Sequence, residues 1–289
     1  MKFLKVVVFN LIVILFVFSC SSENNTIEET ETGLNPSEYY EALNISYGDD
    51  VNQTFDLYLP ANRTVDTEIL VLVHGGGWSS GDKSEMNAFV TLIRQEFPNK
   101  AIANINYRLA DTNISPYPMQ INDITSVINY LKTNNSKYTI SNTLGFIGVS
   151  AGAHLSLLWS YAFDSANNVK MVCSVVGPTN FTDPAYLEDA NPIVQPLIDL
   201  FGISTETAFL EEISPYHQVK TTAPPTILFY GGKDPLIPTT QGIAMRDKLL
   251  SLDVTNEFTL YPEEGHGWDG IELLDTWTKL KAFIQVHLN

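Results

Sequence analysis

The sequence predicts an α/β protein with the α/β-type layout of a mostly parallel, twisted sheet, helices on both faces and a short cap insertion over about residues 177–222. Three observations carry this. From residue 68 onward, short apolar runs alternate with segments of helical period, the pattern that builds a parallel sheet covered on both sides. The runs, such as Ile69-Leu70-Val71-Leu72-Val73, are continuously apolar, as strands buried on both faces must be. Histidine, serine and aspartate residues fall directly after these runs, at the carboxyl ends where such sheets hold their ligands. A length of 289 residues and a hydrophobic content of 44% suit one large domain.

The elements follow in order. Residues 43–47 and 54–59 alternate apolar and polar side chains around Gly48-Asp49-Asp50, which predicts an antiparallel pair. Residues 68–73 form a buried strand ending at His74, 84–97 a helix, and 101–106 the next buried strand. Residues 117–133 make an amphipathic helix, 143–149 a strand, 151–163 a helix and 170–176 another strand. Between 177 and 222 the pattern is interrupted by Pro178, Pro184, Pro192, Pro196 and Pro215. Short helices over 193–201 and 205–212 fit there, so the segment is a cap insertion and not a second domain. Strand 225–230, helix 239–252, strand 255–260 and helix 270–287 complete the domain, which is assigned residues 41–289.

The first 40 residues are of another kind. Lys2 and Lys5 precede the apolar stretch 6–18, and Ser19-Cys20 closes it. That stretch is short for a membrane span, which needs roughly 20 residues. Residues 1–19 therefore read as a signal peptide. The ending Val17-Phe18-Ser19-Cys20 resembles a bacterial lipobox, which implies cleavage before Cys20, diacylation of its sulfur and a place in the cell envelope. A plain secretory signal with a chance cysteine is the alternative. Residues 20–40 are acidic and read as a flexible tether. The remaining cysteine, Cys173, lies in the apolar run 171–176 and reads as a core side chain. The net charge of −17 disfavours a nucleic-acid partner, since phosphate contacts need clustered lysine and arginine.

The chemistry centres on Gly148-Val149-Ser150-Ala151-Gly152, a Gly-x-Ser-x-Gly pattern between a strand and a helix. In that setting it predicts a sharp turn that exposes the serine. A serine hydroxyl attacks only when an imidazole takes its proton and a carboxylate holds the imidazole in the right tautomer. Of the five histidines, His266 follows the last strand in Glu264-Gly265-His266-Gly267-Trp268 and is the best-placed base. His154, one helical turn past Ser150, is read as packing beneath the turn. Asp234, in Gly231-Gly232-Lys233-Asp234-Pro235, is the favoured acid, with Asp269 and Asp275 weaker candidates. The loop His74-Gly75-Gly76-Gly77-Trp78 offers backbone N–H groups to an oxyanion; Gly76, Gly77 and Ala151 are the candidate donors. A donor of this type is worth on the order of 3 kcal/mol of barrier.

These motifs, with Asn106-Tyr107-Arg108-Leu109, resemble the α/β-hydrolase esterases. The likeness is strongest to the hormone-sensitive-lipase-like carboxylesterases and the bacterial feruloyl and acetylxylan esterases. It implies an α/β-hydrolase fold and carboxylic ester hydrolysis, with Ser150 as nucleophile, His266 as base and Asp234 as acid. The expected substrates are short-acyl, acetyl or feruloyl esters, including esterified oligosaccharides. The chain lacks the long N-terminal helical cap of the lipase-like members and carries Trp78 where those often have phenylalanine. Trp78, Tyr107 and Trp268 are the candidate substrate-binding residues; Phe181, Tyr186 and Tyr216 are further aromatics expected near the site. Arg108 is expected to pair with Asp82 or Asp123. No cofactor or metal is called for, and membrane contact is expected through the lipid anchor alone. The alternatives are a prolyl-oligopeptidase-like serine peptidase, an arylformamidase and an inactive hydrolase-fold binding module.

The lipobox reading has a direct test. Two acyl chains contribute about 0.8 kcal/mol per buried methylene, which anchors a protein stably. Cys20→Ser is therefore expected to move the protein from the membrane fraction to the soluble one. Unchanged membrane retention would assign the anchor to the apolar segment itself.

Overall fold

A computed structural model describes residues 33–187, 195–201 and 206–288. The signal peptide, Cys20 and most of the predicted tether lie outside the described residues. Among those described, eight strands form one sheet: β1 (Tyr40–Ser46), β2 (Thr54–Leu59), β3 (Ile69–Val73), β4 (Ala101–Ile105), β5 (Leu144–Val149), β6 (Val169–Val175), β7 (Thr226–Gly231) and β8 (Asn256–Tyr261). Their order is β1-β2-β4-β3-β5-β6-β7-β8, with β2 antiparallel to both neighbours and the rest parallel. The chain steps outward from β3 to β4 on one side, then returns to lay β5 on the other. The topological switch point thus falls between β3 and β5, where ligand crevices open in such sheets. The segments leaving these two strands are the glycine loop and the Ser150 turn.

Although β3 is apolar throughout, its side chains divide by the two-residue period of a strand. Ile69, Val71 and Val73 face a core shared with helices α2 (Met119–Thr133) and α4 (Ala151–Ala162). Leu70 and Leu72 face the opposite core, which holds Val90 and Ile93 of α1 (Asn87–Glu96). Helix α9 (Thr239–Ser251) joins the first face, and α10 (Gly270–His287) the second. The edge strands β1 and β8 are partly exposed, as one-sided strands are.

Three expectations are adjusted. The helix expected over 84–97 begins as a 3₁₀ turn, Lys83–Met86, because Asp82 accepts the Ser84 N–H at 2.8 Å and caps it; α1 follows. The first strand starts at Tyr40, not at residue 43, and a bulge between Ala42 and Ile45 breaks the alternation that the sequence shows there. The tether does not run to residue 40. Leu34 N–H donates to the Lys137 carbonyl at 3.0 Å, and Arg63 ties down the carbonyls of Pro36 and Glu38. Residues 33–40 therefore belong to the domain. A single turn, α3 (Asn135–Tyr138), follows α2, and the described part of the insertion holds the short helices α5 (Pro184–Leu187), α6 (Gln195–Asp199), α7 (Thr207–Glu212) and α8 (Pro215–Gln218). No described helix is long and apolar enough to cross a membrane.

The two fixed glycines of the serine turn are dictated by backbone proximity. A Cβ on Gly152 would stand 2.2 Å from the carbonyl oxygens of both Val73 and His74, and one on Gly148 would stand 2.4 Å from the Gly152 oxygen. Main chain cannot yield as a flexible side chain does. Gly152→Ala is expected to cost about 3 kcal/mol, lowering Tm by roughly 6–12 °C in a domain of this size. An unchanged melting curve would show that α4 can slide away from β3 at little cost.

Candidate active site

Ser150 sits between β5 and α4 with φ 53° and ψ −119°, a left-handed conformation that a non-glycine residue holds at a cost of about 1–3 kcal/mol. Its N–H donates to the Val175 carbonyl at 2.8 Å, and its own carbonyl accepts the His154 N–H, so the turn is pinned on both sides. The hydroxyl is left partly exposed, 2.9 Å from Nε2 of His266. Nδ1 of His266 lies 2.8 Å from Oδ2 of Asp234, whose side chain is wholly buried. The second carboxylate oxygen accepts the N–H groups of Leu236 and Ile237 at 2.8 and 3.0 Å. An acceptor-only carboxylate at Nδ1 fixes the proton there and leaves Nε2 to accept the serine hydroxyl.

The loops that carry the acid and the imidazole are fastened together. Gly232 N–H donates to the Tyr261 carbonyl and Lys233 N–H to that of Glu264, both at 2.8 Å. Contact is so close that a Cβ on Gly231 would lie 2.0 Å from the Gly265 oxygen. His266 Nδ1 is hydrogen-bonded to Asp234 and not to either weaker acid candidate. Asp275 accepts from Lys279 and Tyr261, which hold its carboxyl below the usual range, and Asp269 is an exposed residue preceding α10.

On the opposite side of Ser150, Gly76, Gly77 and Trp78 take φ values of 102°, 56° and 61° in succession. The Gly76 carbonyl accepts from Ser79 N–H, Ser80 N–H and the Ser80 hydroxyl, which closes the loop into a tight turn. Gly75, Gly76 and Gly77 line the cleft beside Ser150. Ala151 lies buried at the first position of α4, where an N–H has no acceptor within its helix.

Two of the three aromatic residues expected to bind substrate do not reach the cleft. Trp78 is 4% exposed; its positive φ turns the indole inward, where Nε1 donates to Nδ1 of His154 at 3.1 Å. Tyr107 is 1% exposed, stacked on His74, with its hydroxyl donating to the carbonyls of His74 and Gly75. Both brace the glycine loop from behind. Phe181 and Tyr186 are buried as well, and Tyr216 packs against the core beside His217. Trp268 does line the cleft, held by a 2.8 Å bond to the Thr276 hydroxyl.

The cleft has a volume of about 670 Å³ and opens to solvent. Its apolar wall comes from Met86, Phe89, Leu236 and Leu273, and Ser79, Ser80 and Glu85 add polar groups. These residues lie outside every motif the sequence displays. The available signal was the four-residue spacing of Glu85 and Phe89 directly after the glycine loop, which puts both on one helical face. Arg108 pairs with Asp123 at 2.6 Å, and Asp82 instead accepts from Asn106. Among the described residues no group of three or more His, Cys, Asp or Glu side chains is placed to hold a metal.

Residues 55–249 match the BD-FAE family. The chain belongs to that family. Esterase LipC of Mycobacterium tuberculosis is 25% identical over 247 residues, covering 80% of this chain and 60% of LipC. The isoprenylcysteine alpha-carbonyl methylesterase ICME of Arabidopsis thaliana is 27% identical over 252 residues, or 77% of this chain and 55% of ICME. The chain thus spans little more than half the length of these curated relatives. A truncated form of a carbohydrate esterase from gut microbiota superposes with a TM-score of 0.68 at 18% identity, covering 87% of this chain and 99% of that one. The shared fold is that of the α/β-hydrolases.

In this BD-FAE chain the histidine nearest Ser150 in sequence is buried beneath the turn. His154 is 1% exposed, and its Nε2 lies 2.8 Å from the Ile213 carbonyl. Burial pushes its pKa down to about 4, and burial lowers His74 as well. An imidazole held neutral in the fold is protonated first in the unfolded chain, near pH 6.5. The unfolded state then binds more protons, so stability is lost as pH falls from about 6.5 toward 4. Tm is expected to fall across this window, and less steeply in His154→Gln. Equal slopes would show that His154 contributes nothing to the acid sensitivity.

Proposed function

We propose that this chain is a serine carboxylesterase acting through an acyl-enzyme. The observation that carries the reading is the continuous relay from Ser150 through His266 to the buried Asp234. Ser150 Oγ attacks the ester carbonyl carbon while Nε2 of His266 takes the hydroxyl proton. Asp234 holds Nδ1–H and stabilises the imidazolium. The N–H groups of Gly76, Gly77 and Ala151 receive the oxyanion, which develops charge only as the bond forms. His266 then returns its proton to the departing alcohol. A water molecule, deprotonated by the same imidazole, releases the acid and restores Ser150.

The substrates we assign are short-acyl, acetyl or feruloyl esters, including those on oligosaccharides. Among the described residues none of the insertion lines the open cleft, so a long acyl chain finds little wall there beyond Phe89 and Leu273, and each unburied methylene forfeits about 0.8 kcal/mol. The names of the family's esterase relatives and of the carbohydrate esterase neighbour support the class. Export and anchoring through Cys20 belong to the same proposal and rest on the N-terminal sequence.

A fluorophosphonate probe is expected to label the wild type at Ser150 and to leave Ser150→Ala unlabelled. With p-nitrophenyl acetate, Ser150→Ala and His266→Ala should each lower kcat by roughly 10⁶, and Asp234→Asn by about 10⁴. Turnover by Ser150→Ala within tenfold of wild type would show that another residue attacks. In a panel of acetyl to octanoyl esters, feruloylated and acetylated xylan oligomers, amides and formamides, kcat/KM is expected to fall with acyl length. Preference for octanoate with no release of acetate or ferulate would leave a lipase-like enzyme, and preference for formamides a formamidase.

A further inference from the structure

The buried imidazole of His154 is a second histidine one helical turn from the nucleophile, and the relay described above makes no use of it. It lies where three parts of the chain meet. From the glycine loop, Trp78 Nε1 donates to its Nδ1 at 3.1 Å. From the insertion, the Ile213 carbonyl accepts from its Nε2 at 2.8 Å. Its own helix, α4, begins at the Ser150 turn. The rings of Trp78, Phe181 and Phe201 stand around it, each nearly perpendicular, at 5.5, 5.2 and 6.0 Å.

A leucine would fill such an aromatic cage without the desolvation that a buried polar ring carries, so packing alone does not call for histidine. What histidine adds is one acceptor and one donor on opposite sides of a rigid ring, each matched here by one partner. The partner that matters for chemistry is Trp78. It follows Gly77 directly and itself holds a φ of 61°, a left-handed value that glycine takes freely and tryptophan does not. Strained backbone of this kind persists only where its surroundings over-determine it. The Trp78 carbonyl is held by Gln120 Nε2 at 2.6 Å and Ala110 N–H at 2.9 Å, and the indole by His154.

We propose that His154 is a positioning residue: it locks Trp78, and with it the Gly76 and Gly77 N–H groups, to the Ile213 carbonyl of the insertion. The insertion thereby sets the glycine loop and, through it, the rate of the chemical step. This inference rests on the ester-hydrolase reading. Because the loop meets charge that exists only in the transition state, loosening it lowers kcat and leaves KM nearly unchanged.

The test is a double-mutant cycle with p-nitrophenyl acetate, each kcat normalised to active sites titrated with a fluorophosphonate so that unfolded protein does not count. Trp78→Phe keeps the ring and removes the donor; His154→Leu removes both hydrogen bonds; His154→Gln can both accept and donate. Losing an oxyanion donor outright costs about 10²–10³ in rate, so a displaced pair is expected to cost about tenfold or more. Both Trp78→Phe and His154→Leu should show that loss with KM within about twofold, and the double variant should be no slower than His154→Leu by more than about twofold. His154→Gln should regain at least about a third of the wild-type kcat. Losses that multiply in the double variant, a folded Trp78→Phe at wild-type kcat, or an effect confined to KM would overturn the proposal. If His154→Leu does not fold, Trp78→Phe combined with His154→Gln decides the same point. A wild type that neither titrates nor turns over any ester would instead sink the ester-hydrolase reading.

Discussion

Everything at the site depends on how closely the first turn of α4 approaches the end of β3. Gly152 lies against the carbonyls of Val73 and His74, and Gly148 against Gly152 itself, at separations that exclude a Cβ. That contact sets three things at once. It forces the backbone at Ser150 into a left-handed conformation and pushes the hydroxyl out of the core. It brings Gly75 to within contact distance of Ser150, where a Cβ would lie 3.3 Å from the serine Cβ. It also directs the start of α4 at the crevice, so that a helix N-terminus, with its unpaired N–H groups and positive dipole end, faces any charge formed there.

The sheet supplies this contact by topology. Since β3 and β5 are parallel neighbours with Val73 opposite Gly148, the segments that follow them are bound to meet. The acid and the base arrive from the same direction by the same logic, because β7 and β8 are also parallel neighbours and their following loops share hydrogen bonds. Four segments distant in sequence therefore converge with no long reach by any one of them. This is why the strand ends could be read as a site from sequence: position after a buried strand is itself a coordinate in a parallel sheet.

What the sequence left hidden follows from what it does not encode locally. Buried strands, serine turn and triad order are each written in a short window of residues. Which way a large aromatic side chain points from a loop is not. Trp78 and Tyr107 border the glycine loop as closely as Trp268 borders His266, yet the first two turn into the core and the third stays at the cleft. The difference lies in partners supplied from elsewhere. His154 and the loop carbonyls accept from Trp78 and Tyr107 inside, whereas Thr276 of α10 holds Trp268 at the rim. The boundary of the tether is not written locally for a similar reason. Residues 33–40 carry no apolar run or period, and what orders them is supplied from downstream: Arg63 donates to the carbonyls of Pro36 and Glu38, the Lys137 carbonyl accepts from Leu34, and Leu34 and Tyr40 pack against the core.

The same long-range logic shapes the charge at the triad. Asp234 is followed closely by the N–H groups it accepts, so its charge is met by neutral donors and by His266. The cation beside it in sequence, Lys233, points away and pairs with Glu263 on the surface. That separation matters for the proposed reaction. A lysine at the carboxylate would neutralise it permanently, and the imidazolium that forms during attack would gain less from Asp234. Keeping the lysine outside leaves the buried carboxylate with a charge that its backbone donors hold in place but do not cancel. In the proposed reaction the proton taken from Ser150 comes to rest on a ring with a buried anion behind it, and the open side of His266, 24% exposed, faces the cleft into which the alcohol departs and through which water arrives.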